Sequence, residues 1–295
     1  MATITPTVGL FGMNMNAAAD PAVSARVARR AEQLGYESLW VADHVALPRP
    51  RTEESPLEPD TPLLDPVVAL THLASHTERI RLGTGCVILP QRNPVVLAKQ
   101  LASLDVVSGG RLIFGAGVGY LEPEMTAVGV PMAGRGARAD EYLQAIGALW
   151  YMDKPAFHGS YADFEGVDAR PRPLQRRVPL VIGGHSAAAH RRAVAHGDEW
   201  FGYLVGLRSA AEQVRALREL SDRAERQDRP LKISVAPSRP LDAGAVSAYA
   251  ELGVDRLVVV PPMDLTVPEL EEFVERNAPR ELGATPARET SGNLV

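Results

Sequence analysis

The chain has 295 residues, 45% of them hydrophobic and 23% charged, the make-up of a folded globular protein that buries about three quarters of its surface without help from metal or disulfides. With 31 basic and 36 acidic residues the net charge is −5, which excludes a basic face for a nucleic-acid backbone. A single cysteine, Cys86, excludes an internal disulfide and an all-cysteine zinc site; no apolar run approaches the roughly 18 residues of a membrane span, and MATITPTVGLFG lacks the features of a secretion signal, so the expected location is the cytoplasm.

From one end to the other, short apolar runs alternate with stretches of helical period. The runs are VGLF (8–11), SLWVA (38–42), LGTGCVI (82–88), LIFGAG (112–117), PLVIG (179–183), WFGYL (200–204), KISVA (232–236) and RLVVV (256–260). Such alternation marks βα units around a parallel sheet, and eight strands are the number that closes a barrel. The expected fold is therefore α/β, a single (β/α)8 TIM barrel over residues 1–282 with insertions in the loops at its C-terminal face, then a structureless tail over 283–295. Asp20-Pro21, Asp65-Pro66 and Asn93-Pro94 each place a side-chain acceptor at a helix N-cap and a proline at the first helical position. Gly35 stands where a left-handed C-cap is expected, Ser186 at a further N-cap, and Ser209 with Glu212 reads as a capping box. Three stretches break the rhythm: 44–64 and 120–138 read as loops, and 152–178 as a segment holding a small hairpin.

Loops that follow strands lie on the face of a parallel barrel where sites occur. Asp43 and His44 end the second run, so both side chains emerge at that rim; a histidine there can move a proton near neutral pH with an adjacent carboxylate to orient it, or the pair can simply cap the loop. In GAGVGY (115–120), Gly115, Gly117 and Gly119 either admit close backbone approach to a flat ring or relieve crowding at the rim. Three βα units precede this run and LEPE follows it, which does not fit a dinucleotide fingerprint. Gly183-Gly184, followed by His185, Ser186 and a helix with Arg191 and Arg192, offers either a phosphate site or a tight turn. Glu122 and Glu124 read equally as a second acid or as solvated loop charges. His72 and His76 have metal-ligand spacing but no third ligand, and Cys86 reads as a small buried hydrophobe.

The ordered blocks GYESLWVADH (35–44), RIRLGTGCVILPQRNPVVLAKQLASLDVVSGGRLIFGAGVGY (79–120) and PLVIGGHSAAAHRRAVAHGDEW (179–200) resemble the bacterial luciferase-like monooxygenase superfamily, and LGTG with PQRNPVVLAKQLASLD resembles its branch that uses the deazaflavin coenzyme F420. The resemblance implies a hydride-transfer enzyme acting on a small organic substrate, with Asp43 and His44 beside the ring and His44 moving the proton. It further implies a cis peptide at Gly85-Cys86 backing the ring, Gly117 and Gly119 lining it, and Gly183-Gly184 at the phosphate of the cofactor tail. Relatives are often dimers. Tyr120 stands where sugar-phosphate-oxidising relatives carry a catalytic glutamate, which argues against that substrate. The alternatives are an FMN-dependent monooxygenase fed by a separate reductase, and a barrel that binds a flavin or deazaflavin without turnover.

Overall fold

All eight apolar runs become parallel strands, and their pairing closes a ring. The computed structural model describes residues 5–226 and 228–287. In chain order the elements are β1 (Thr7–Leu10), α1 (Pro21–Gln33), β2 (Ser38–Val41), α2 (Pro66–Ala74), β3 (Arg81–Thr84), β4 (Val87–Ile88), α3 (Pro94–Val107), β5 (Leu112–Gly117), α4 (Glu122–Ala127) and α5 (Arg135–Tyr151). There follow β6 (Phe157–His158), β7 (Asp163–Phe164), β8 (Leu180–Gly183), α6 (Ala187–His196), β9 (Glu199–Val205), α7 (Leu207–Arg223), β10 (Lys232–Pro237), α8 (Ala243–Glu251), β11 (Arg256–Val259) and α9 (Val267–Arg276). The closed order is β1-β2-β3-β5-β8-β9-β10-β11 and back to β1, every pair parallel. The chain is thus a (β/α)8 barrel. The run 82–88 divides at Gly85-Cys86, whose peptide is cis, and β4 continues on the edge of β5.

Local chemistry explains the helix starts. Asp20, Asp65 and Asn93 each accept two backbone N–H groups of the first turn, and Ser186 accepts one, from Ala189. Gly35 has φ +86 where α1 ends. Two expectations are corrected. The capping box at Ser209 and Glu212 does not form, because Gly206 is extended and starts α7 directly after β9, leaving Ser209 inside the first turn. The stretch 120–138 is no simple loop: Pro123 fits the opening turn of α4, whose Glu124 and Met125 are buried, and α5 begins at Arg135. The long loop 44–64 and the hairpin β6–β7 match their sequence signals.

The barrel interior is apolar and aromatic. Trp40 and Phe201 stack there with centroids 5.5 Å apart, among Ile113, Val181 and Val258, and a Cβ on Gly83 would stand 2.7 Å from the Trp40 ring, so Gly83 makes room for it. Below this layer, at the N-terminal ends of the strands, buried Arg256 donates to Glu37 at 2.7 and 3.1 Å and to Glu199 and Ser234. Its guanidinium also lies 5.4 Å from the Trp40 ring centroid, so the barrel floor is a satisfied ion cluster under an aromatic layer. Part of the expected tail, residues 288–295, lies outside the described residues. Before it, Thr285 donates to the carbonyls of Thr5 and Pro6, and Ala287 to that of Gly35, all at the same floor.

Candidate active site

The opposite, C-terminal end of the barrel gathers the site residues. Fully buried Asn14 donates to the carbonyls of Ala42 and Leu64 at 2.9 and 2.7 Å and accepts from the Ala42 amide. One side chain therefore fixes the end of β2 and the far end of loop 44–64, immediately before Asp43 and His44. Nothing in the sequence marked Asn14; a lone asparagine after a strand carries no local signal for a contact 28 and 50 residues away.

His44 and Asp43 have separate partners. The His44 ring meets Glu124, with Nδ1 2.9 Å from Oε2, and the other Glu124 oxygen accepts from the Val45 amide at 2.6 Å. Glu124 is buried, and with its oxygen at Nδ1 the ring nitrogen left to act toward a bound molecule is Nε2. Asp43 instead accepts from the Ile88 amide at 2.9 Å and from Arg92 at 2.7 and 3.3 Å. The pairing of His44 with Asp43 is thus corrected: Glu124 orients the ring, while Asp43 ties β2 to β4 and the start of α3. Burial pushes the Asp43 carboxyl up from its ordinary value, opposed by Arg92 and by the Ile88 amide. Glu122 is exposed. The ring of Tyr120, 51% exposed, stands perpendicular to that of His44 with centroids 6.0 Å apart.

Beside this pair lies a shelf of small residues at adjoining strand ends. The Gly85-Cys86 peptide stands over Phe11 and Trp40, which a Cβ on Gly85 would approach to 3.1 and 3.2 Å. A Cβ on Gly183 would stand only 2.7 Å from Cys86 Sγ, and one on Gly119, at φ +76, 2.7 Å from Ile88; packing alone demands those two glycines. Gly117 differs: a Cβ there would meet Cys86 only at ordinary contact distance, 3.6 Å, so packing does not demand its glycine. Burial pushes the Cys86 thiol up to about 12, which keeps it protonated and makes it a wall, not a nucleophile.

Past β8 the chain is exposed from Gly184 to Ala188. Gly184, at φ +118, accepts from Trp200 Nε1 at 2.8 Å, and His185 accepts from the Tyr203 amide. Ser186 caps only Ala189, leaving the Ala187 and Ala188 amides at the positive end of α6 with no partner among the described residues, a setting that suits an anion. Arg192 faces away, paired with Asp140. The two helical histidines are also occupied, His72 donating to Pro21 O and His76 accepting from Arg29.

The closed barrel and the residues at its mouth fall in one family: the chain belongs to the luciferase-like monooxygenases, whose model matches residues 5–278. It is 30% identical over 264 residues to an uncharacterized protein of Mycobacterium tuberculosis, covering 86% of this chain and 92% of that one. It is also 30% identical over 158 residues to the FMNH2-dependent dimethylsulfone monooxygenase of Pseudomonas putida, covering 50% of this chain and 43% of that one. Among solved structures, an F420-dependent secondary alcohol dehydrogenase in complex with an F420–acetone adduct has the same fold, with TM-score 0.74 at 16% identity over 91% of this chain and 98% of that one.

Proposed function

We propose that this chain is an F420-dependent oxidoreductase that exchanges a hydride with a small organic substrate while His44 moves the accompanying proton. The observation that carries the reading is the His44–Glu124 pair standing beside the small residues at the ends of the third, fifth and eighth strands, a proton-transfer group next to a glycine-rich face that a flat ring could cover. Gly85, Cys86, Gly117 and Gly119 would flank the ring system, and Gly183, Gly184 and the first amides of α6 would hold the phosphate of the tail. When bound, the deazaflavin supplies hydride acceptance or donation at C5. His44 Nε2 takes the proton of a substrate hydroxyl during oxidation and returns it to a carbonyl oxygen during reduction, while Glu124 holds the ring in place through Nδ1. Asp43 acts through Arg92 and Ile88 to hold the strand end, and Leu47 and Leu57 of loop 44–64 fold into the mouth and exclude water there.

The likeness to the dimethylsulfone enzyme favours a second reading, a reduced-FMN monooxygenase supplied by a reductase. Oxygen separates them: turnover of F420 with substrate under strict anaerobiosis supports the first reading, and an absolute requirement for oxygen and reduced FMN supports the second. His44→Ala should lower kcat by about 10²–10⁴-fold while the protein keeps its affinity for F420; a bound cofactor that no substrate oxidises or reduces would make the barrel a binding protein only.

A further inference from the structure

The barrel floor, at the opposite end from the mouth, holds a separate well of about 260 Å³, partly open to solvent, at the N-terminal ends of β3 and of β8 to β11. Five of its ten lining residues are basic, Arg81, Arg177, Arg229, Lys232 and Arg256, against two acids, Asp198 and Glu199. Both carboxylates are already spent. Asp198 accepts from Arg177 and from the Leu180 amide at 3.0 Å each and lies 3.5 Å from Arg229. Glu199 accepts from Arg256 and Ser234, and Arg256 has Glu37 as well. Half-buried Arg81 has no such counter-charge: its Nη2 donates to Gln175 and to the Leu112 carbonyl at 3.3 and 3.4 Å, while its Nε and Nη1 have no partner among the described residues. Burial, with Arg256 close by, pushes its guanidinium down from the ordinary value against the pull of Glu37 and Glu199, as expected of a cation short of negative charge. Lys232, exposed at the first position of β10, likewise forms no ion pair among the described residues.

We infer that this well is an anion site that takes a phosphate group, either as inorganic phosphate or as a small phosphate ester. The free edge of Arg81 offers a fork of donors and Lys232 a point charge, the two kinds of group that phosphate recognition uses, and a dianion supplies the charge that the lining lacks. The rest of the wall is Ile113, Pro179 and Pro230, with no aromatic face for a base or another ring. The volume is also below the about 300–1,000 Å³ of pockets for larger organic ligands, so the ligand is small. The inference goes beyond the reading above and does not depend on which ring the mouth takes.

The test is calorimetric titration of the full chain with inorganic phosphate and with glycerol 3-phosphate, at an ionic strength held constant with sodium chloride. Inorganic phosphate should bind with a Kd below about 1 mM. Arg81→Gln should weaken that binding at least about tenfold and Lys232→Gln at least about threefold, whereas Arg215→Gln, an exposed change on α7 outside the well, should leave it unaltered. The first amides of α6 at the mouth also suit an anion, so the floor variants decide where phosphate sits; Lys232 is exposed, and its variant keeps the test valid should Arg81→Gln fail to fold. No binding at about 10 mM phosphate, an affinity unchanged in Lys232→Gln, or an equal loss in Arg215→Gln overturns the inference. Where the floor variants do lose binding, a lower Kd for glycerol 3-phosphate than for inorganic phosphate identifies an ester as the ligand, and a higher one identifies the free ion.

Discussion

Glu124 is the residue on which the proposed proton transfer turns, because both its oxygens are spent on His44 and Val45. Glu124→Gln keeps the shape but removes the charge that favours an Nδ1 hydrogen, so kcat should fall at least about tenfold with F420 affinity unchanged; steady-state kinetics beside a fluorescence titration check both halves, and an unchanged kcat would free His44 from this partner. Gly183 offers a stability test independent of any cofactor. A Cβ there would press on Cys86 Sγ at 2.7 Å, so Gly183→Ala should cost about 1–3 kcal/mol, and Cys86→Ala in the same chain should recover most of it, read from denaturant midpoints. At this scale the sequence was half legible. Asp43 and His44 announced themselves by standing at a strand end, but Glu124 lies 80 residues from His44 in a six-residue helix, and no local pattern tells a buried glutamate from a solvated one.

Elements were far easier to read. Strand identity depends on short runs of buried residues, and each of the eight runs shows that pattern within its own few positions; likewise Asp20, Asp65 and Asn93 cap through contacts two and three residues away. The failures came where geometry replaced composition. Gly206 opened α7 with no side-chain cap, and Pro123 began a helix inside a stretch that reads as a loop. One inter-element contact yields a pH prediction. Glu32 on α1 accepts from the amides of Glu78, Arg79 and Ile80, the turn that feeds β3. Burial pushes its carboxyl up, yet those three amides outweigh it and hold it below the ordinary range. A carboxylate so lowered stabilises the fold above its unfolded value, and that contribution disappears as pH falls through the lowered one. Glu32→Gln should therefore cost about 1–2 kcal/mol at neutral pH, with the gap to the parent closing below about pH 4; a gap that does not depend on pH would show that charge has no part in it.

On the scale of the molecule, the closed ring was inferable from the count and alternation of strands, whereas its floor was not, since Arg256, Glu37 and Glu199 meet only after 219 and 57 residues of chain have folded. Arg256→Ala leaves buried Glu199 and half-buried Glu37 without their cation and should cost about 3 kcal/mol, measurable by chemical denaturation. Which ring, if any, the barrel mouth takes is read most directly by a parallel titration of the purified protein with F420 and with FMN, followed by ring fluorescence. Micromolar binding of F420, with FMN at least tenfold weaker, a gap of about 1.4 kcal/mol, is the predicted result; FMN binding as tightly as F420, or more so, would contradict it and move the protein among the flavin monooxygenases.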